Sequence, residues 1–95
     1  MRLILYSKPG CHLCEGLQEK LEQIQNLSFE LEIRDITTDE NLFAAYQYEI
    51  PVLCLITPGD EKEQALPRPS PRASVQQLAQ MLSKYLANPE KNNAE

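Results

Sequence analysis

Two stretches of this 95-residue chain are apolar at nearly every position, Leu3-Ile4-Leu5-Tyr6 and Val52-Leu53-Cys54-Leu55-Ile56-Thr57. A strand with one wet face alternates, so runs that do not alternate predict central strands covered on both faces. The covering helices are visible in the same sequence. From 12 to about 26, Leu13, Leu17, Leu21 and Ile24 recur at helical spacing, with Glu15, Gln18, Glu19, Glu22 and Gln23 on the other face. Val75, Leu78, Met81, Leu82, Tyr85 and Leu86 mark a last helix ending near Leu86, with a capping-box spacing from Ser74 to Gln77.

Between these lie weaker signals. Phe29, Leu31 and Ile33 alternate with Glu30, Glu32 and Arg34, which predicts a strand with one exposed face, at the edge of a sheet. Thr37 and Glu40 have capping-box spacing and open a short helix through about Gln47, carrying Leu42, Phe43 and Tyr46 inward until Glu49-Ile50-Pro51 ends it. Pro58-Gly59-Asp60 is a turn, 61–66 returns as a short fourth strand, and Leu66-Pro67-Arg68-Pro69-Ser70-Pro71-Arg72 is a stiff extended segment. The order is β-α-β-α-β-β-α, an α/β domain over residues 1–87, followed by a disordered polar tail at 88–95.

The net charge of −5 and the absence of basic clusters argue against nucleic acid and anionic membranes as partners. No run is long enough to cross a bilayer, and no signal-peptide core follows Met1-Arg2. Three cysteines with a single closely spaced pair do not form a secreted disulfide framework, so a reducing, cytoplasmic setting is expected.

That pair, in Cys11-His12-Leu13-Cys14, falls where the first strand has ended and the first helix begins. A sulfur at a helix N-terminus faces unpaired N–H groups and the positive end of the helix dipole, and both favour thiolate over thiol. Cys11 is the candidate nucleophile. Cys14, one turn along the same face, is the candidate resolving thiol that closes a disulfide on it. His12, if protonated, would favour the thiolate, and its alternative is a solvated side chain; Lys8 either assists the thiolate or a substrate carboxylate, or is a plain loop lysine. Cys54, inside an apolar strand, reads as a small buried hydrophobe without a redox role, and Tyr6 and Tyr46 as packing residues.

The segment Tyr6-Ser7-Lys8-Pro9-Gly10-Cys11-His12-Leu13-Cys14 resembles the active-site segment of the glutaredoxins, within the thioredoxin fold, and Ile50-Pro51-Val52 resembles their Thr-Val-Pro signature. The resemblance implies a mixed central sheet of about four strands flanked by three helices, and a cis-proline at Pro51 that sets the Ile50 backbone beside Cys11, able to pair with an extended peptide or glutathione. It implies a thiol-disulfide oxidoreductase, a redox-active carrier of electrons between thiol pairs. Such a protein acts as a monomer on protein disulfides or glutathione mixed disulfides, with no bound cofactor and glutathione as a possible co-substrate. The chain departs from the family in carrying Cys-His-Leu-Cys, and Leu66-Pro67-Arg68-Pro69-Ser70 where a glutathione-binding Gly-Gly pair would fall. Arg68, Arg72 and the amides opening the last helix offer an alternative carboxylate site.

Two other readings use the same cysteines. Copper-carrier domains also place Cys-x-x-Cys between a first strand and helix, and thiolates suit Cu(I), but the Met that precedes their motif is missing and Ile50-Pro51 is unaccounted for. The third reading keeps the fold without catalysis, as an interaction module or as one half of an iron–sulfur cluster site shared between two copies. A structural zinc needs four ligands, and beyond the pair only His12 and Cys54 remain.

Overall fold

Leu3, Ile4, Leu5 and Tyr6 are all buried, and their side chains divide between two cores. These residues belong to β1 (Arg2–Ser7) in a computed structural model that describes residues 2–25, 27–56, 59 and 62–86. The remaining elements are α1 (His12–Glu22), β2 (Glu30–Asp35), a 3-10 turn (Ile36–Thr38), α2 (Glu40–Tyr46), β3 (Val52–Ile56), β4 (Gln64–Ala65) and α3 (Val75–Leu86).

The sheet order is β2-β1-β3-β4. β1 runs parallel to β2 through the α1 crossover and antiparallel to β3, and β3 pairs antiparallel with β4. Register puts Leu3 opposite Leu55 and Leu5 opposite Leu53, so these four share the face covered by α1 and α3, where Leu17, Leu21, Leu78 and Leu82 meet them. Ile4 lies opposite Cys54 and Tyr6 opposite Val52, on the face that packs against Ile36, Leu42 and Tyr46. The expected α/β sandwich, a four-stranded mixed sheet with helices on both faces, is the observed one.

Several boundaries differ from the sequence reading, each for a local reason. α1 ends at Glu22 and not near 26, because its last turn tightens into i to i+3 bonds, Gln23 N–H to Lys20 O (3.1 Å) and Ile24 N–H to Leu21 O (3.3 Å), while Ile24 still reaches the core. Thr37 does not cap α2. Asp39 does, its Oδ1 accepting from the amides of Asn41 (2.8 Å) and Leu42 (3.2 Å), and Thr37 lies in the preceding 3-10 turn, held by Asp35. Leu42 and Tyr46 pack inward as expected, whereas Phe43 is 36% exposed.

β4 is shorter than 61–66. The Leu66 amide adds one more bond to Leu53 O (2.9 Å), and Pro67 then has no N–H to continue the ladder. Ser74 and Gln77 do form a reciprocal capping box at α3, with Gln77 N–H on Ser74 Oγ (3.1 Å) and Ser74 N–H on Gln77 Oε1 (2.9 Å). Gly59 takes φ +84° in the turn after β3, while Thr57, Pro58, Asp60 and the 88–95 tail lie outside the described residues. Among the described residues no helix is long and apolar enough to cross a membrane.

Leu5 is fully buried between β2 and β3. Leu5→Ala is expected to cost about 2–5 kcal/mol in urea unfolding, from lost transfer energy plus the cavity. A cost below about 1 kcal/mol would contradict this account of the core.

Candidate active site

The chain leaves β1 through a turn that delivers Cys11 to the start of α1. Lys8-Pro9-Gly10-Cys11 closes with the Cys11 N–H on Lys8 O (3.2 Å), and Gly10 takes φ +83°. Proline then glycine with positive φ at the two central positions is the sequence demand of a type II turn. Cys11 follows as the N-cap of α1 with extended backbone angles, and its Sγ accepts from the Cys14 amide at 3.2 Å. The sulfur therefore occupies the place usually filled by a serine or aspartate oxygen, where an anion is favoured.

Cys11 and Cys14 are joined as a disulfide, Sγ to Sγ 2.20 Å with Cα atoms 5.3 Å apart. Cys11 is half-buried whereas Cys14 is 2% exposed, so in the reduced pair Cys11 is the sulfur an incoming molecule meets. The Ile50–Pro51 peptide is cis.

Beside the disulfide lies a groove of about 410 Å³. One wall is the α1 stripe Leu13, Gly16, Leu17 and Lys20; the opposite wall is the extended segment with Arg68, Pro69 and Pro71; Pro51 and Leu78 complete it. Lys20 bridges the two walls, its Nζ donating to Pro71 O (2.9 Å) and Ala73 O (2.6 Å), and the Arg68 guanidinium donates to Glu49 O.

Residues 2–83 match the glutaredoxin-like domain family (DUF836). The chain belongs to that family. Among solved structures it is similar to the X-ray structure of Northeast Structural Genomics target protein XcR50 from X. campestris, at 29% identity and TM-score 0.57, over 86% of this chain and 96% of that one. It is similar in fold to a structure described as that of a malarial protein, at 17% identity and TM-score 0.60, over 90% of this chain and 96% of the other. No curated protein matches it.

In this glutaredoxin-like domain the residues singled out from sequence separate into two groups. Cys11, Cys14, His12 and Pro51 come together at the start of α1, with His12 and Pro51 lining the groove. His12 is solvated, its side chain 94% exposed and its Nδ1 3.7 Å from Glu15 Oε1. Lys8 is exposed in the turn and contributes its carbonyl to the Cys11 amide. Ile50 faces away from the groove: its side chain packs on the α2 side of the sheet, and its N–H donates to Tyr46 O (3.1 Å).

Of the residues offered as an alternative carboxylate site, Arg68 lines the groove and donates to Glu49 O, Arg72 is exposed, and the amides of Ser74 and Gln77 form the capping box. Leu13, assigned by its spacing to the core face, is instead 56% exposed and lines the groove. The sequence reading passed over Gly16 and Lys20, although a glycine inside an amphipathic helix is itself a signal. Among the described residues, no three His, Cys, Asp or Glu side chains gather into a group that could hold a metal ion.

Glu63 is a third residue the sequence did not single out. The Tyr6 hydroxyl donates to its Oε1 (2.5 Å) and accepts from Arg34 Nη1 (3.2 Å), while the Tyr6 ring lies against Tyr46 with centroids 4.9 Å apart. Burial, then the Glu63 carboxylate, raises the Tyr6 phenol above its ordinary value. Cys54, 2% exposed beneath this cluster, is pushed up to about 11 by burial first and the charge of Glu63 second. Only thiolate reacts, so in folded, reduced protein at mildly alkaline pH iodoacetamide is expected to label Cys11 and leave Cys54 intact until denaturant is added. Native labelling of Cys54 at the rate of a small free thiol, read by peptide mass, would contradict the buried placement.

Proposed function

We propose that this glutaredoxin-like domain is a thiol-disulfide oxidoreductase in which the Cys11 thiolate attacks a substrate disulfide and Cys14 resolves the product. The observation that carries it is the capping geometry: the Cys11 sulfur accepts the Cys14 N–H at the positive end of α1, within bonding reach of the Cys14 sulfur. The family membership supports the same reading.

In the first step Cys11 S⁻ forms a bond to one sulfur of the substrate disulfide, and the other sulfur departs as thiolate and takes a proton from solvent. In the second, the Cys14 thiol loses its proton and attacks the Cys11 sulfur. The mixed disulfide breaks, the remaining substrate sulfur leaves as thiolate, and the Cys11–Cys14 disulfide forms. The substrate has gained two electrons and the protein has lost two, so each further cycle requires an external thiol reductant.

The half-exposed and buried pair fits this division of labour. A partner sulfur can approach Cys11 but not Cys14, whereas Cys14 can reach Cys11 with little rearrangement because the two already lie one helical turn apart. Lys8 and His12 act at most as surrounding charge. Nothing in the geometry requires a second copy of the chain, and a monomer suffices for this chemistry.

Cys11→Ser is expected to abolish exchange with a disulfide substrate, at least ~100-fold in rate, because a serine hydroxyl does not replace a thiolate as nucleophile toward sulfur. Cys14→Ser is expected to accumulate a stable mixed disulfide on Cys11, visible as an intact-mass adduct that a small thiol removes. Equal residual activity in the two variants, or an adduct on Cys14 in Cys11→Ser, would remove the assigned roles.

A further inference from the structure

Gly16 is the anomalous residue of α1. It lies in the helix interior, where glycine is the least favourable residue short of proline. Neither of the usual reasons for glycine applies: its φ is not in the positive region, and a Cβ built on it would meet no atom within 4 Å. What the missing side chain leaves open is space in the groove that Gly16 lines together with Leu13, Leu17 and Lys20 of the same helix.

The groove around that space is suited to an apolar guest. Leu13, Leu17, Leu78, Pro51, Pro69 and Pro71 supply its surface. The two basic side chains among its lining residues besides His12 are already hydrogen-bonded to backbone, Lys20 to Pro71 O and Ala73 O, and Arg68 to Glu49 O. A ligand recognised through carboxylates, as glutathione is, would shed hydration against these walls and compete with those bonds for a counter-charge. An aliphatic or aromatic side chain gains by the same burial. At about 410 Å³ the groove is of ligand-binding size, and its lining includes His12 and Leu13, between the two cysteines, and Pro51.

We infer that this groove receives an apolar side chain next to the cysteine of an extended polypeptide whose disulfide Cys11 attacks, with Gly16 as the residue that sets its depth. The preferred substrates are then protein disulfides with an apolar flank, not glutathione mixed disulfides. This inference rests on the exchange reaction proposed above: the bonds made and broken are the same, and the groove selects which disulfide is presented to Cys11.

The test measures single-turnover exchange of the reduced full chain with short peptides. Each carries one cysteine in mixed disulfide with 2-mercaptoethanol and differs only in the neighbouring residue, leucine, phenylalanine or serine. The glutathione–2-mercaptoethanol mixed disulfide is run beside them, and every rate is divided by the same protein's rate on bis(2-hydroxyethyl) disulfide. The leucine and phenylalanine peptides are expected to react at least ~10-fold faster than the serine peptide, with glutathione near serine, a ratio in keeping with burial of one large side chain. Gly16→Leu, which fills that space, is expected to reduce that ratio to within ~3-fold, and Leu13→Ser, at an exposed position, to lower it in the same direction.

Equal rates for apolar and polar flanks in the wild type, glutathione faster than the leucine peptide, or an undiminished preference in both variants would each overturn the inference. Failure of the wild type to exchange with bis(2-hydroxyethyl) disulfide would instead remove the oxidoreductase reading and the groove's role with it. That outcome is distinct from exchange that proceeds without preference.

Discussion

The two-sided burial of β1 is the constraint on which the rest of the molecule depends. Leu3 and Leu5 hold α1 and α3 on one face while Ile4 and Tyr6 hold the α2 layer on the other, and the strand has no exposed face along which it could slide. Each such leucine contributes about 1.5–3 kcal/mol of burial, and a slip of one residue would reverse every side chain. The end of β1 is thereby fixed in space. The Pro9-Gly10 turn then leaves a single exit, which sets Cys11 at the N-cap of α1 with its sulfur on the Cys14 amide.

The proposed chemistry follows from that placement more than from neighbouring charges. The cations that sequence reasoning offered to the thiolate are loosely disposed, with His12 solvated near Glu15 and Lys8 exposed in its turn. What remains is the helix terminus itself, through one directed N–H and the dipole behind it. The third cysteine shows the contrast within one chain. Cys54 has burial and the Glu63 carboxylate around it, both of which disfavour a thiolate, and it takes no part in the pair.

Where a segment's own residues decide its structure, the sequence was legible. The unbroken apolar runs marked β1 and β3, Ser74 and Gln77 marked the start of α3, and Cys-x-x-Cys after a strand marked the start of α1. Where two signals competed locally, the pattern misled: Asp39 displaced Thr37 as the cap of α2, its carboxylate accepting two amide bonds there, and Phe43, expected inward, is 36% exposed. What could not be read at all is tertiary. That Leu13 lines a groove while Leu17 stays in the core, that Lys20 ties α1 to the proline-rich segment, and that Glu63 meets Tyr6 are set by elements distant in the chain.

The central claim is that Cys11 and Cys14 form a reversible two-electron couple and that Cys54 does not. Its most direct test equilibrates the full chain in a graded series of reduced and oxidised glutathione, quenches with an alkylating agent, and assigns the state of each cysteine by peptide mass. The account expects a single sigmoidal transition between the Cys11–Cys14 dithiol and disulfide, reached from either direction, with Cys54 protected throughout. Failure of the pair to interconvert across the series, or exchange of Cys54 in place of Cys14, would contradict it.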